Sequence, residues 1–312
     1  MHPTSTPSSS RTRLLLAAVA GVLAMLIYGG QFVASRFSLQ QTLSPWDLAA
    51  LRLGVAGVLS LPLAIRRGLP GAAGIGWRRA IILAITVGAP YTLILYSGLA
   101  VAPAIHGAVI IPGATPLFAA ALAWVWLGEE TAPKAILGLI LILAGVAFVS
   151  WPAIIDLTGD PTWSGDASFL VAGLLWAIYT VLVRRWRVRP LQATAMVWVL
   201  ALPYIPIYLA LDGGARLLAA PRGEVIFQAI YQGVGVSLVA LLLYSRAIRT
   251  LGTESASVFM PLIPIFGALF AVPVLGEMPD RLQLAGMIMV TVGIALAAGR
   301  SLSSRVFNGA DS

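Results

Sequence analysis

Short polar clusters divide the chain between Leu14 and Gly299 into long apolar runs. A helix crossing hydrocarbon needs about 17–25 mostly apolar residues. Ten windows satisfy this: 14–35, 46–65, 80–101, 104–127, 135–152, 167–183, 191–211, 225–245, 255–275 and 282–299. The third and fourth nearly touch, because Pro103 cannot continue a helix and permits a tight turn. The pattern predicts an all-α polytopic membrane protein with ten transmembrane helices. The opening MHPTSTPSSS is polar and rich in Pro and Ser, so residues 1–13 are expected to form a disordered tail. The first apolar run exceeds the roughly 7–15 residues of a signal-peptide core and is expected to stay as a membrane helix.

Composition supports lipid as the solvent. Of 312 residues, 59% are hydrophobic and 10% charged, with a mean hydropathy of +0.92, whereas soluble domains carry about 25% charged residues. The net charge of +8 does not suggest nucleic-acid binding, because the basic residues form no continuous stripe. They fall in alternate loops. With the N-terminus inside, the inner set holds Arg11, Arg13, Arg66, Arg67, Arg78, Arg79, Lys134, Arg184, Arg185, Arg187, Arg189, Arg246, Arg249, Arg300 and Arg305. The outer set holds only Arg36, Arg216, Arg222 and Arg281, and Arg52 lies within the second window. Cytoplasmic loops of membrane proteins carry this excess, so both termini are expected in the cytoplasm. Asp156, Asp160 and Asp166 share the longest outer loop. With no cysteine, disulfides and thiolate chemistry are excluded, and no metal or cofactor is expected.

The run PLFAAALAWVWLGE, 116–129, returns as PIFGALFAVPVLGE, 264–277. A single offset of 148 also pairs Tyr96-Ser97 with Tyr244-Ser245, Gly138 with Gly286, Gly145 with Gly293, Ala24 with Ala172 and Arg36 with Arg184. The chain is a tandem duplication. Each copy holds five windows, an odd number, so the second copy enters the membrane from the opposite side. Inverted repeats of this kind underlie many secondary transporters, with a site between two halves that exchange conformations. The expected organisation is a cytoplasmic tail over 1–13, a five-helix repeat over 14–152, an outside linker over 153–166, a second repeat over 167–299 and a tail over 300–312.

The block YSGLAVAPAIHGAVIIPGATPLFAAALAWVWLGEE, its partner YSRAIRTLGTESASVFMPLIPIFGALFAVPVLGEM, the phrase YGGQFVASR and the triplet Ala50-Leu51-Arg52 resemble the EamA family of the drug/metabolite transporter superfamily. The resemblance extends from about Leu14 to Gly299. It implies a basket of two inverted five-helix repeats, a central cavity lined mainly by the first, third, fourth, sixth, eighth and ninth helices, and export of amino acids or other small metabolites. Where a Trp is common in the first helix of that family, this chain has Tyr28; the second copy carries Trp176.

Polar and aromatic side chains at mid-membrane depth face a partner or a cavity. Gln31 is a candidate hydrogen-bonding residue for substrate, and Tyr28 shares its helical face. Pro90 is expected to kink the third helix; Tyr91 is expected to line a cavity, with Tyr96 packing. Trp176 and Tyr179, three apart, make one aromatic face on the sixth helix, and Tyr231 with Gln232 opens the eighth. An interfacial aromatic belt or an interhelical bond would use the same residue types. His106, the one histidine in an apolar window, is a candidate gate or substrate contact at the outer mouth. Arg52 is costly in hydrocarbon, at about 2.5–3.5 kcal/mol, and is expected to hold helix carbonyls at a junction. Pro112 and Pro116 recur as Pro261 and Pro264, a matched punctuation expected to serve conformational change.

No carboxylate falls mid-window, which favours facilitated movement or loose exchange over proton coupling, although His106 leaves coupling open. An intramembrane enzyme would need a nucleophile–base pair, an acid dyad or metal ligands, and a channel a charged or carbonyl-lined filter; neither is visible. The expected function is therefore transport of amino acids or related zwitterionic or neutral metabolites by alternating access, with a multidrug or organic-cation exporter as the alternative. The expected setting is a bacterial cytoplasmic membrane, an inference helped by nineteen Arg against one Lys. A monomer is expected, with a dimer left open.

Overall fold

The computed structural model describes residues 7–66, 69–155, 161–212 and 214–298. Arg67, Asp156, Asp160, Arg300, Arg305 and the expected tail over 300–312 lie outside these residues. Among the described residues there are helices and turns but no strand. The apolar windows correspond to α1 (Pro7–Leu39), α2 (Pro45–Arg66), α3 (Trp77–Val101), α4 (Ala104–Leu127), α5 (Pro133–Val149), α6 (Thr162–Arg185), α7 (Leu191–Leu211), α8 (Arg222–Leu251), α9 (Ser255–Leu275) and α10 (Arg281–Ala297). Eight are long and apolar enough to cross a membrane; α5 and α10 are apolar but have 17 residues each.

Several boundaries differ from expectation. Helix α1 begins at Pro7, where proline's fixed φ suits a first helical turn. Helix α6 begins at Thr162, so Asp166 lies a turn inside a helix rather than in a loop. Helix α3 does not kink at Pro90 but breaks at Gly88, between Trp77–Val87 and Ala89–Val101, with Pro90 in the first turn of the second segment. A Cβ at Gly88 would collide with the Ala84 carbonyl. Helix α7 breaks around Leu202 and Pro203, and α8 carries a π-helical stretch over Ala229–Val239. The matched prolines behave differently: α4 runs unbroken through Pro112 and Pro116, whereas α9 is interrupted over 258–261, with Pro261 capping the segment that contains Pro264.

Packing follows the repeat. Helix α1 packs on α8 and α9, and its mate α6 packs on the corresponding α3 and α4; α2 pairs with its own mate α7, and α5 with α10. All of these contacts join one repeat to the other. The α5–α10 crossing is set by glycine. A Cβ on Gly138 would stand 2.6 Å from the Gly293 carbonyl oxygen, and one on Gly145 would stand 2.6 Å from that of Gly286. Since Gly138 and Gly286 are repeat mates, as are Gly145 and Gly293, the two contacts are images of each other. Small residues let membrane helices approach closely, where van der Waals contact replaces the hydrophobic effect. Large apolar side chains point outward, as with Leu143 at 63% and Leu211 at 75% exposure. Only lipid makes that arrangement favourable.

Candidate functional site

Three groups of polar side chains stand out, at two ends of the bundle and between them. The side carrying the α1 N-terminus is termed here the tail face, and the opposite side the far face.

At the far face, the Glu277 carboxylate beyond the end of α9 accepts hydrogen bonds from the Ala104 and Ile105 amides, at 2.9 and 3.1 Å. These amides open α4, where helix N–H groups have no partner inside the helix and the dipole favours an anion. Arg36 at the end of α1 donates from Nη1 to the Leu99 carbonyl at 2.6 Å, and its Nε lies 3.9 Å from Glu277. One turn into α4, His106 Nδ1 is 2.8 Å from Asp166 Oδ1 on α6, and both side chains are buried. His106 Nε2 is 3.1 Å from Gln283 Nε2 on α10. An amide nitrogen can only donate, so Nε2 accepts and Nδ1 carries the proton directed at Asp166. Gln283 is held in turn by a capping box with Asp280. The far face is thus tied across α1, α4, α6, α9 and α10. The expectation that Asp166 sits in a solvated loop is corrected, because His106 offers it a partner inside the bundle.

At the tail face, Arg184 Nη2 lies 3.0 Å from Glu129 Oε2, with side-chain exposures of 51% and 28%. The pair stands in a cavity of about 290 Å3 between the repeats, whose wall includes Pro116, Thr180 and Ala297. These are the repeat mates of the far-face residues: 36 and 184, 129 and 277 differ by 148. In both pairs the arginine comes from one copy and the glutamate from the other.

Between the faces lies an aromatic group. The rings of Tyr91 and Trp176 are 5.5 Å apart, and those of Trp176 and Tyr179 are 5.8 Å apart. Tyr28 is in electrostatic reach of Tyr91, Tyr179, Tyr244 and Arg52. The Arg52 guanidinium is buried; its Nη1 donates to Gln31 Oε1 at 3.4 Å, it meets the Tyr96 hydroxyl, and it lies 5.6 Å from the Trp198 ring centroid. So Tyr28, Gln31, Tyr91, Trp176 and Tyr179 come together as one group, with Arg52 at its edge. Gln232 borders this group, donating to the Gln31 backbone carbonyl at 3.4 Å, and both it and Tyr231 are held against α1. The Tyr231 hydroxyl donates to the Ile27 carbonyl at 3.1 Å, and Gln232 donates to Ser35 at 2.8 Å and accepts from Tyr96 at 3.3 Å. With Gln228, which donates to Ala34 and Ser38, they clamp α8 to α1.

Sequence reasoning did not single out Arg36, Glu277, Asp166, Gln283 or Trp198. The Arg36–Arg184 and Glu129–Glu277 matches were visible in the repeat, but which arginine meets which glutamate depends on how the copies interlock.

Residues 15–151 and 163–299 each match the EamA-like transporter family. The chain belongs to that family. Similar proteins include an uncharacterized transporter of Archaeoglobus fulgidus, 28% identical over 94% of this chain and 99% of that one. A probable terminal-alkyne amino-acid exporter of Streptantibioticus cattleyicolor is 26% identical, over 94% of this chain and 97% of its own length. One crystal structure shares the fold, with a TM-score of 0.60 at 19% identity, covering 90% of this chain and 96% of that one. The EamA-like chain is therefore a multi-pass membrane transporter, and family and relatives alike point away from an enzyme.

Proposed function

We propose that this EamA-like transporter is a carrier of small zwitterionic or neutral metabolites, amino acids foremost, that works by alternating access. Its ten helices, α5 and α10 included, cross a bacterial cytoplasmic membrane, with the tail face and both termini in the cytoplasm, and the monomer is the working unit. The basic residues crowd the tail-face loops, in keeping with that orientation. Residues Tyr28, Gln31, Tyr91, Trp176 and Tyr179 meet the substrate. The resemblance to the probable terminal-alkyne amino-acid exporter of Streptantibioticus cattleyicolor supports the substrate class.

One observation carries the mechanism: the symmetry-related glutamates, Glu129 and Glu277, are unequally engaged. Glu277 is locked onto the α4 amides and sequestered with Arg36, while Glu129 and Arg184 face an open cavity. Two equivalent halves in unequal states can exchange roles at little net cost, since each closing latch offsets an opening one. Such an exchange opens the far face as it closes the tail face. His106, Asp166 and Gln283 reinforce the far latch.

The test is counterflow in proteoliposomes preloaded with unlabelled amino acids. A carrier gives saturable uptake accelerated by substrate on the other side; flux linear in concentration with no such acceleration would mark a channel and refute the proposal. Because the chain has no cysteine, single cysteines at 129 and 277 report sidedness directly. Labelling of both from one side would remove the inverted arrangement on which the exchange depends.

A further inference from the structure

Among the described residues Arg52 is the one cation buried between the faces, and its surroundings are unusual. Among the described residues the ion pairs are Arg36–Glu277 and Arg184–Glu129, while His106 meets Asp166 through its Nδ1 proton; Arg52 belongs to none of these. Asp47, on the same helix, is committed elsewhere: it accepts from the Ser44 amide at 2.8 Å, from the Ser44 hydroxyl at 2.6 Å and from Tyr208. The partners Arg52 does have, the Gln31 amide oxygen and the Tyr96 hydroxyl, are neutral. Its Nε is buried with no acceptor, and so is the indole Nε1 of Trp198, the ring on which the guanidinium rests. Thr92 Oγ1, one turn before Tyr96 on α3, is likewise buried without a partner.

A buried charge demands a counter-charge, and buried N–H donors demand acceptors. Two orphaned donors beside an uncompensated guanidinium match what a carboxylate supplies: two oxygens, one negative charge and a planar outline suited to arginine. The site is also within reach of the substrate group, since Gln31, which accepts from Arg52, lies one turn from Tyr28 on α1. We propose that Arg52 binds the carboxylate of the transported molecule, with Gln31 and Trp198 positioning the guanidinium. The inference rests on the transport reading above and deepens it. The substrate bears a carboxylate at the Arg52 end and presents its remaining surface, an ammonium included, to the aromatic faces of Tyr28, Tyr91 and Trp176, which attract cations. A purely cationic molecule would place its charge against Arg52, so organic cations are rejected.

The test compares the twenty common amino acids with their carboxamides, which keep the side chain and amine but lose the carboxylate. Each set is loaded into proteoliposomes carrying the full chain, and efflux is read by mass spectrometry after subtraction of protein-free liposomes. The wild type should move the preferred acid at least about tenfold faster than its amide. Arg52→Gln should bring the two within about twofold by lowering acid flux alone, and Arg52→Lys should retain an intermediate preference. Equal movement of acids and amides by the wild type would overturn this inference and leave the carrier intact. Equal loss of both in a monodisperse Arg52→Gln protein would mean a structural arginine and overturn it too. If Arg52→Gln fails to fold, the wild-type ratio and the Arg52→Lys ratio decide. Movement of neither set would sink the amino-acid reading itself.

Discussion

Glu277→Gln isolates the far-face latch. The carboxylate accepts two α4 amides at once, at 2.9 and 3.1 Å. A glutamine of the same shape offers one oxygen and one NH2 group, so one amide must face another donor. A hydrogen bond to a charged group contributes about 1.5–3 kcal/mol, and removing the negative charge from a helix N-terminus costs a further ~0.3–1 kcal/mol. Both losses fall on the closed state alone. At 1.4 kcal/mol per factor of ten, a net loss of about 2–3 kcal/mol raises the population open at the far face roughly 30- to 140-fold. Glu129→Gln weakens a pair whose arginine is half exposed, where ion pairs contribute only about 0.2–1 kcal/mol, so its effect stays below roughly fivefold. The assay is the labelling rate of Ser35→Cys by an impermeant maleimide added at the far face. Ser35 is fully buried, and the introduced thiol reacts in proportion to opening. Unchanged labelling in Glu277→Gln, or an equal rise in Glu129→Gln, would refute the unequal-latch reasoning.

Gly286→Val should collide with the Gly145 carbonyl and separate α5 from α10, lowering the Tm by several degrees for a cost of about 1–3 kcal/mol, whereas Gly223→Ala, which meets nothing within 4 Å, should leave it unchanged. His106→Ala strands Asp166, whose Oδ2 already has no partner; an expected loss of about 3 kcal/mol should be largely recovered by adding Asp166→Asn, as read by thermal unfolding in detergent. Trp176→Ala removes the ring between Tyr91 and Tyr179 and should raise KM for the preferred amino acid about three- to tenfold, from an aromatic contact worth ~0.5–1.5 kcal/mol, with stability little altered.

The polar clusters and the 148-residue offset determine the membrane class, the helices and the duplication, because hydrocarbon accepts few backbone solutions. An odd number of windows per copy determines the inversion. The meeting of Tyr28 with Tyr91, Trp176 and Tyr179 could be anticipated in residue type, since aromatics at matched depth announce themselves. What Gln232 and Tyr231 do could not, because an amide reads alike whether it meets substrate or the next helix; only the seating of α8 on α1 turned both towards Ser35 and Ile27. Likewise Arg36 and Glu277 are remote in the chain, and no spacing rule joins them. Sequence periodicity records which solvent each helix sees, which is a local matter. Which partner each buried polar group finds depends on helix rotation and crossing, and these were set by close approaches such as Gly145 on Gly286.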